Sequence, residues 1–150
     1  MQYEHAGTDK DGFSLHDCRS TSVEFVDERL VFRFPDGIFC QDYSNDWPNT
    51  GKAEVEFKAD PLRGVSLYLF VDSEGKTVRM DCTVGQLMEK INGHAWELEF
   101  GYRYGEYEEI LYKCWVWKNR EPWTLECELS IGTKEPAVFR WDPPAVENDQ

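Results

Sequence analysis

Apolar and polar residues alternate with a period of two along most of the chain, the pattern of β-strands that have one buried face. The clearest case is residues 52–58, in which Ala53, Val55 and Phe57 alternate with charged residues. Turn-forming residues separate the alternating segments, which are 23–25, 30–34, 52–58, 65–71, 78–82, 96–104, 110–116, 123–131 and 137–141. The pattern predicts a mostly β (α+β) fold: antiparallel meanders and hairpins of about 9–10 strands, barrel-like or sandwich-like.

One segment, residues 84–92, has the period of an amphipathic helix instead. Its apolar positions form a single stripe, made of Val84, Leu87, Met88 and Ile91. Thr83 and Gln86 have the spacing of a capping box, in which each side chain binds a backbone N–H at the helix start. Asn92-Gly93 supplies residues that tolerate a left-handed helix end. The sequence therefore predicts one short helix near 84–92 that packs on the sheet.

Pairing the segments so that their apolar residues share a face predicts the register of several hairpins. The early pairs are 25 with 30, 23 with 32, 69 with 78 and 67 with 80; the late pairs are 98 with 114, 100 with 112, 102 with 110 and 114 with 127. Adding residues 137–141 predicts a four-stranded meander. This register also predicts opposite charges across strands, at Glu99 with Lys113, Arg103 with Glu109, Lys113 with Glu128, and Glu128 with Arg140.

The same register leaves Trp115 and Trp117 on the outward face of the meander, with Glu97 and Glu126 on either side of Trp115. Tryptophan is enriched at binding hot spots, so these four residues are the predicted partner-binding site. The alternative is that the helix or a second sheet covers both tryptophans. Two acids beside an aromatic ring also suggest a glycosidase, but that chemistry needs two acids that face each other across a cleft, and a flat sheet face has none; we assign no catalytic residue.

Composition and charge narrow the classes of partner. The chain has 150 residues, 41% hydrophobic and 15% aromatic, enough for one packed domain with an ordered body at about 11–141. Residues 1–10 and 142–150 are polar and aperiodic, and we expect frayed or loosely docked termini there. The net charge of −13 argues against nucleic acid and anionic membranes. It suits a basic protein partner, or it only keeps the protein soluble as a monomer or weak dimer.

The reactive residue types form no recognisable site. We expect the five cysteines to be reduced thiols in the cytoplasm, since the N-terminus has no signal-peptide pattern. The register predicts that Cys114 and Cys127 lie opposite each other, as a redox switch, as half of a metal site or, by our preferred interpretation, as small buried hydrophobes. His16-Asp17-Cys18 resembles a triad only in its composition, because on an extended strand Asp17 faces away from its neighbours. We expect no metal, no cofactor and no glycine-rich phosphate loop.

Three functions of different classes remain. The first is a protein-binding domain, most concretely an immunity-type protein that neutralises a basic toxin or enzyme. In the strand Trp96-Glu-Leu-Glu-Phe100 after a short helix, the chain has a general resemblance to the small acidic immunity proteins of bacterial toxin systems. The second is a β-barrel whose aromatic interior binds a small apolar ligand. The third is an enzyme of unrecognised type, for which the sequence offers no positive feature.

Overall fold

In a computed structural model, the described residues are 1–7, 11–61, 64–105 and 108–145. They form thirteen β-strands and one helix, and all strand pairs are antiparallel. The strands are β1 Tyr3–Gly7, β2 Phe13–Ser14, β3 Arg19–Ser20, β4 Ser22–Val26, β5 Arg29–Phe34, β6 Phe39–Cys40, β7 Ala53–Lys58, β8 Val65–Ser73, β9 Lys76–Cys82, β10 Trp96–Tyr104, β11 Glu109–Lys118, β12 Thr124–Gly132 and β13 Ala137–Trp141; the helix is α1 Val84–Asn92.

Two large open sheets pack face to face. One has the strand order β1-β13-β7-β5-β4, the other has the order β3-β10-β11-β12-β8-β9, and β2 and β6 form a small third sheet. Aromatic rings fill the space between the large sheets: the ring of Phe100 lies 5.1 Å from that of Phe32 and 5.0 Å from that of Tyr112. The prediction of a mostly β, antiparallel fold with one helix is confirmed. Of the two predicted forms, the described strands adopt the sandwich and do not close a barrel.

Helix α1 has the predicted bounds and the predicted capping box. The Thr83 hydroxyl accepts a hydrogen bond from the Gln86 N–H at 3.1 Å, and the Gln86 side chain accepts one from the Thr83 N–H at 2.9 Å. Leu87 and Ile91 are buried in the core. At the far end, the Asn92 amide bonds both the N–H and the C=O of Val23, at 3.0 and 2.8 Å. The helix therefore packs against β4, the edge strand of the five-stranded sheet, and Asn92 satisfies the backbone N–H and C=O of Val23.

Two hairpins, β4–β5 and β11–β12, keep the predicted register. Val23 pairs with Phe32 and Phe25 with Leu30 in the β4–β5 hairpin. In the β11–β12 hairpin, Cys114 pairs with Cys127 and Lys113 with Glu128, both as predicted.

Two predicted registers are wrong by two residues. In the β8–β9 hairpin, Leu69 pairs with Met80 because the turn is formed by Glu74 and Gly75, which have φ values of +51° and +77°. In the β10–β11 hairpin, the pairs are Leu98 with Val116 and Phe100 with Cys114, and the register then shifts between Phe100 and Arg103. The hydrophobic pattern is unchanged by a shift of two, so it cannot fix the register alone.

The corrected β10–β11 register removes two of the predicted charge pairs. Glu99 lies opposite Trp115 rather than Lys113, and Arg103 lies opposite Tyr112 rather than Glu109. Up to Phe100 the side chains still point to the predicted faces, because a shift of two residues preserves the side to which each one points. Beyond the irregularity the prediction is wrong: Arg103 lies opposite the buried Tyr112, while Tyr102 and Tyr104, which we predicted to face inward, are 66% and 49% exposed.

Strand β13 does not continue the meander, so the four-stranded meander and the pairing of Glu128 with Arg140 are also wrong. β12 pairs with β8, while β13 crosses to the other sheet and pairs with β7 and β1. There the Arg140 guanidinium binds Glu4 at 3.1 Å and Glu56 at 3.4 Å. β1 lies within the segment for which we predicted a frayed or loosely docked terminus, and all five of its residues pair with β13.

Candidate functional site

The outer face of the six-stranded sheet carries the residues predicted to bind a partner. One row of directly paired residues crosses all six strands; in order it is Arg19, Glu99, Trp115, Glu126, Phe70 and Arg79. These side chains point outward because their strand neighbours, such as Cys114, Val116 and Cys127, are buried between the sheets. We call this surface the tryptophan face and define it by that row together with Glu97 and Trp117.

Trp115 lies near the middle of the tryptophan face and keeps 43% of its surface exposed. Glu126 lies directly across from it on β12, as predicted. On the other side its neighbour is Glu99, since the shifted β10–β11 register places Glu97 opposite Trp117 instead. Glu126 is exposed and makes no hydrogen bond or ion pair with any described residue. The centre of this face is thus an open indole ring between two carboxylates, one of which is free.

Trp117 is more covered than Trp115. The Arg19 guanidinium lies 4.1 Å from the centre of the Trp117 ring, a cation–π contact. The same guanidinium binds Glu99 at 3.2 Å and Glu97 at 3.3 Å, so it holds both acids beside the indole. The Trp117 Nε1 is buried and has no acceptor among the described residues. Of the two predicted anchors, Trp115 is therefore the open one, and a side chain rather than a second sheet covers Trp117.

Sequence reasoning missed four members of this face, which are Arg19, Glu99, Phe70 and Arg79. Arg19 lies on β3, a strand of only two residues without a readable period. Glu99 was assigned to Lys113 because of the register error, and Phe70 reaches the face only through the long-range pairing of β8 with β12. A signal for Phe70 was present, because Tyr68 and Phe70 occupy the outward positions of β8, where polar residues are expected.

The outer face of the five-stranded sheet is different in character. Arg33 binds Glu24 at 2.9 Å, and Arg140 binds Glu4 and Glu56. Glu54 lies between the two arginines, 3.7 Å from Arg33 and 4.0 Å from Arg140. Basic and acidic side chains thus alternate and pair with each other across this sheet.

A cleft of about 280 Å³ opens at one end of the sandwich. Its walls include His16, Trp47 and Tyr102; the ring of His16 lies 4.8 Å from that of Tyr102 and 6.3 Å from that of Trp47. The register shift after Phe100 lies at this cleft, and Gly101, within it, also lines the wall. This arrangement provides a small, mainly aromatic surface for a ligand.

The His16-Asp17-Cys18 segment is a turn and not the extended strand we predicted. Asp17 has a φ of +62°, and the turn docks on β10 through hydrogen bonds between its backbone and Phe100 at 2.8 and 3.0 Å. Cys18 is fully buried, and this burial raises the pKa of its thiol to about 12. Because the thiolate is the nucleophilic form, Cys18 is not an activated nucleophile at neutral pH.

The remaining thiols are also inside the protein. All five cysteines are free and buried, and burial raises the pKa of the Cys114 thiol, which lies against Cys127. This fits the interpretation of the pair as small buried hydrophobes. Within the ranges that the structure describes, no three His, Cys, Asp or Glu side chains are grouped to hold a metal ion. In those same ranges, no helix has the length and apolar character needed to cross a bilayer.

Comparison with protein-family models, with curated proteins and with solved structures found no significant match to this chain. The geometry of its surfaces is therefore the basis for assigning a function.

Proposed function

We propose that this chain is a protein-binding domain that captures a basic protein through the tryptophan face. The observation that carries the proposal is the position of Trp115: an indole that is 43% exposed, on a sheet, between Glu99 and Glu126, the latter making no ion pair with any described residue. Tryptophan in such a position supplies a large rigid contact area, and it is among the residues most enriched at hot spots.

Charge supports a basic partner in particular. The chain carries 16 basic and 29 acidic residues, and a cationic side chain of the partner would find Glu126 without a competing ion pair. Complementary charge accelerates association and disfavours acidic competitors. The finer proposal is that the partner is a basic toxin or enzyme and that this chain is its immunity-type inhibitor; this proposal rests on charge and on the general resemblance of the sequence.

Site-specific crosslinking followed by affinity measurement tests the proposal. A photo-crosslinking amino acid at position 115 should capture a basic protein in the source cell, whereas the same group at Trp123 should not. Trp123 is the matched control: it is 57% exposed, and it precedes β12 and is not part of the row that defines the tryptophan face. The captured protein is then identified and purified for titration calorimetry.

The affinities decide the outcome. Trp115→Ala should weaken binding about 30-fold or more, the effect of losing a hot spot of about 2 kcal/mol. Glu126→Lys should slow association and reduce its salt dependence, whereas Asp36→Lys, an exposed acid in the turn after β5, should affect association less. Equal capture at positions 115 and 123, or unchanged affinity of the Trp115→Ala variant, would refute the proposal.

Small-ligand binding is the second candidate function, and the cleft at His16, Trp47 and Tyr102 favours it. The barrel interior in which we first placed a ligand does not exist, because phenylalanine rings fill the space between the sheets. Ligand-observed NMR with a library of small aromatic and sugar-like compounds tests this cleft. Binding that Tyr102→Ala abolishes and Trp115→Ala leaves unchanged would favour this function over the first.

A further inference from the structure

Strand β9 is an open edge of the six-stranded sheet. It is the last strand in the order β3-β10-β11-β12-β8-β9 and pairs only with β8 among the described strands. Six of its seven residues are exposed, including Val78 at 44% and Met80 at 50%. An exposed edge strand of this length presents unpaired N–H and C=O groups, to which another strand can add.

The turn before β9 determines which backbone groups face outward. Glu74 and Gly75 both have positive φ, so they form a two-residue hairpin loop between Ser73 and Lys76. The closing pair of such a loop is a hydrogen-bonded pair, and hydrogen-bonded pairs recur at every second residue. The N–H and C=O groups of Val78 and Met80 therefore face β8, whereas those of Thr77, Arg79 and Asp81 face the open edge.

We propose that a second copy of this chain adds its own β9 to this edge, antiparallel, with the two-fold axis at Met80. In this register the backbone of Arg79 in one copy pairs with that of Asp81 in the other, and the reverse, so four hydrogen bonds form. Their side chains meet as two opposite-charge pairs on the outer face of the joined sheet. On the inner face the two Met80 side chains meet, and Val78 of each copy meets Cys82 of the other.

Charge selects this register over the symmetric alternatives. A two-fold axis at Arg79 would place the two guanidinium groups opposite each other, and an axis at Val78 would place Arg79 opposite Thr77. Neither Arg79 nor Asp81 forms an ion pair with a described residue, so both are free to make these contacts. The guanidinium of Arg79 already lies on the outer face, 4.5 Å from the centre of the Tyr68 ring.

The strand also suits self-association better than the rest of the chain does. The whole chain has a net charge of −13, which repels a second copy. β9 contains Lys76, Arg79 and Asp81 and is therefore locally positive, with a net charge of +1. The contact is one strand wide, below the size of a standard interface, so we expect a weak dimer that becomes populated as the protein concentration approaches about 1 mM.

Dimerisation at β9 would extend the proposed function without depending on it. The two-fold axis lies perpendicular to the joined sheet, so both copies present Trp115 on the same side. Seven strand spacings separate the two tryptophans, roughly 34 Å at about 4.8 Å per spacing. A dimer would thus be a bivalent binder, but the test below measures only association and is independent of whether the tryptophan face has a partner.

Analytical ultracentrifugation of the full chain, from about 10 µM to about 1 mM, tests the proposal. The mass should rise from the 17.6 kDa of one chain toward twice that value. Arg79→Asp and Asp81→Arg should each weaken dimerisation at least about tenfold, because each places like charges across the axis. An equimolar mixture of the two variants should dimerise again, since aspartates at 79 and 81 of one variant face arginines at 81 and 79 of the other. Arg120→Asp, in an exposed loop, changes the net charge by the same amount as Arg79→Asp and should leave the dimer unchanged.

Disulfide formation provides a readout that does not depend on those variants. In the proposed register the two Met80 residues form a non-hydrogen-bonded pair, in which the Cβ atoms approach closely enough for a disulfide. Met80→Cys should therefore give a covalent dimer under mild oxidation, and Thr77→Cys should not, because its symmetry mate lies far along the strand. A wild type that stays monomeric at 1 mM, a mixture that fails to dimerise, or equal crosslinking at 77 and 80 would overturn the proposal.

Discussion

The side-chain amide of Asn49 holds together the long connection between β6 and β7, and its removal should be among the most damaging single changes in the molecule. Asn49 is buried, and its Oδ1 accepts a hydrogen bond from the Cys40 N–H at 2.8 Å. Its Nδ2 donates to the C=O of Cys40 at 2.8 Å and to the C=O of Ser44 at 2.6 Å. The amide therefore pairs with Cys40 as a neighbouring strand would.

The cost of Asn49→Ala follows from these three bonds. A typical intramolecular hydrogen bond contributes about 1 kcal/mol, and a buried backbone group that loses its partner also keeps its desolvation cost. Three bonds give a loss of about 3 kcal/mol, a large part of the roughly 5–15 kcal/mol that stabilises a domain. At about 2–4 °C per kcal/mol for a chain of this size, the melting temperature should fall by about 6–12 °C.

Urea unfolding followed by tryptophan fluorescence measures this loss. The matched control is Asn45→Ala: this asparagine is exposed in the same connection, and its loss should cost less than about 0.5 kcal/mol. Equal stability of the Asn49→Ala and Asn45→Ala proteins would refute the assignment of the amide as the organiser of this connection.

An isosteric variant adds a test by pH. Asn49→Asp preserves shape but places a carboxylate against two carbonyl oxygens, so burial and repulsion should raise the pKa of the new carboxyl above its usual value near 3.9. A raised folded-state pKa means that the variant is most stable below about pH 4 and loses stability as pH rises toward the folded-state pKa. Its deficit relative to wild type should therefore be larger at pH 7 than at pH 4, whereas the deficit of Asn49→Ala should not change.

Three further substitutions test the core, a close backbone contact and the helix. The pKa of the buried Cys18 thiol is raised to about 12, so this thiol should contribute a fall of about 1.4 kcal/mol per pH unit to the free energy of unfolding above about pH 8.5. Cys18→Ala should reduce the slope in urea unfolding between about pH 8 and 10.5 by that amount and leave the part due to the other buried thiols whose pKa is raised. Gly101→Ala would place a Cβ 2.6 Å from the Lys113 carbonyl oxygen and should lower the free energy of unfolding by about 1–3 kcal/mol. Gly85→Ala in the helix meets no close atom and should raise it by about 0.5–1 kcal/mol; thermal unfolding measures both effects. Thr83→Ala removes the helix cap and should cost about 1 kcal/mol in the same assay. Thr83→Ser keeps the hydroxyl and should retain most of that stability; a serine variant as unstable as the alanine variant would contradict the capping role.

The predictable parts of the fold were those decided by near neighbours in the sequence. Helix α1 was correct in its bounds and its capping box because the cap and the apolar stripe lie within a dozen positions of one another. Its left-handed residue, however, is His94, with a φ of +64°, and Gly93 has a φ of −82°. The β4–β5 hairpin was correct because its short turn, at Asp27 and Glu28, leaves only one register that buries Val23 with Phe32. In both cases the local chemistry and the packing favour the same structure.

The β8–β9 and β10–β11 registers were wrong because a shift of two residues leaves the hydrophobic pattern unchanged, whereas the other errors depend on contacts that no local pattern encodes. The alternating residues of β13 fit either sheet equally well. The acids that form ion pairs with Arg140 are Glu4 on β1 and Glu56 on β7, both far from it in the sequence. The site shows the same limit. Glu126 was placed correctly because its strand follows β11 directly, whereas Glu97 was placed beside the wrong tryptophan by the β10–β11 register. The position of Arg19 could not be predicted, since the turn at residues 16–18 that precedes it is fixed by hydrogen bonds to Phe100 on another strand.

The two outer faces of the sandwich explain why an acidic chain would bind through only one of them. On the five-stranded sheet, Arg33 and Arg140 already pair with the acids around them, so a basic partner must break existing ion pairs before it gains new ones. Exchange of one exposed ion pair for another yields little net free energy. On the tryptophan face, a partner's cation can reach Glu126 without displacing anything described, and the same approach covers the Trp115 ring. In the proposed function, apolar burial and charge would therefore act together there: the surplus acid of the whole chain would attract the partner, and this face would determine where it binds.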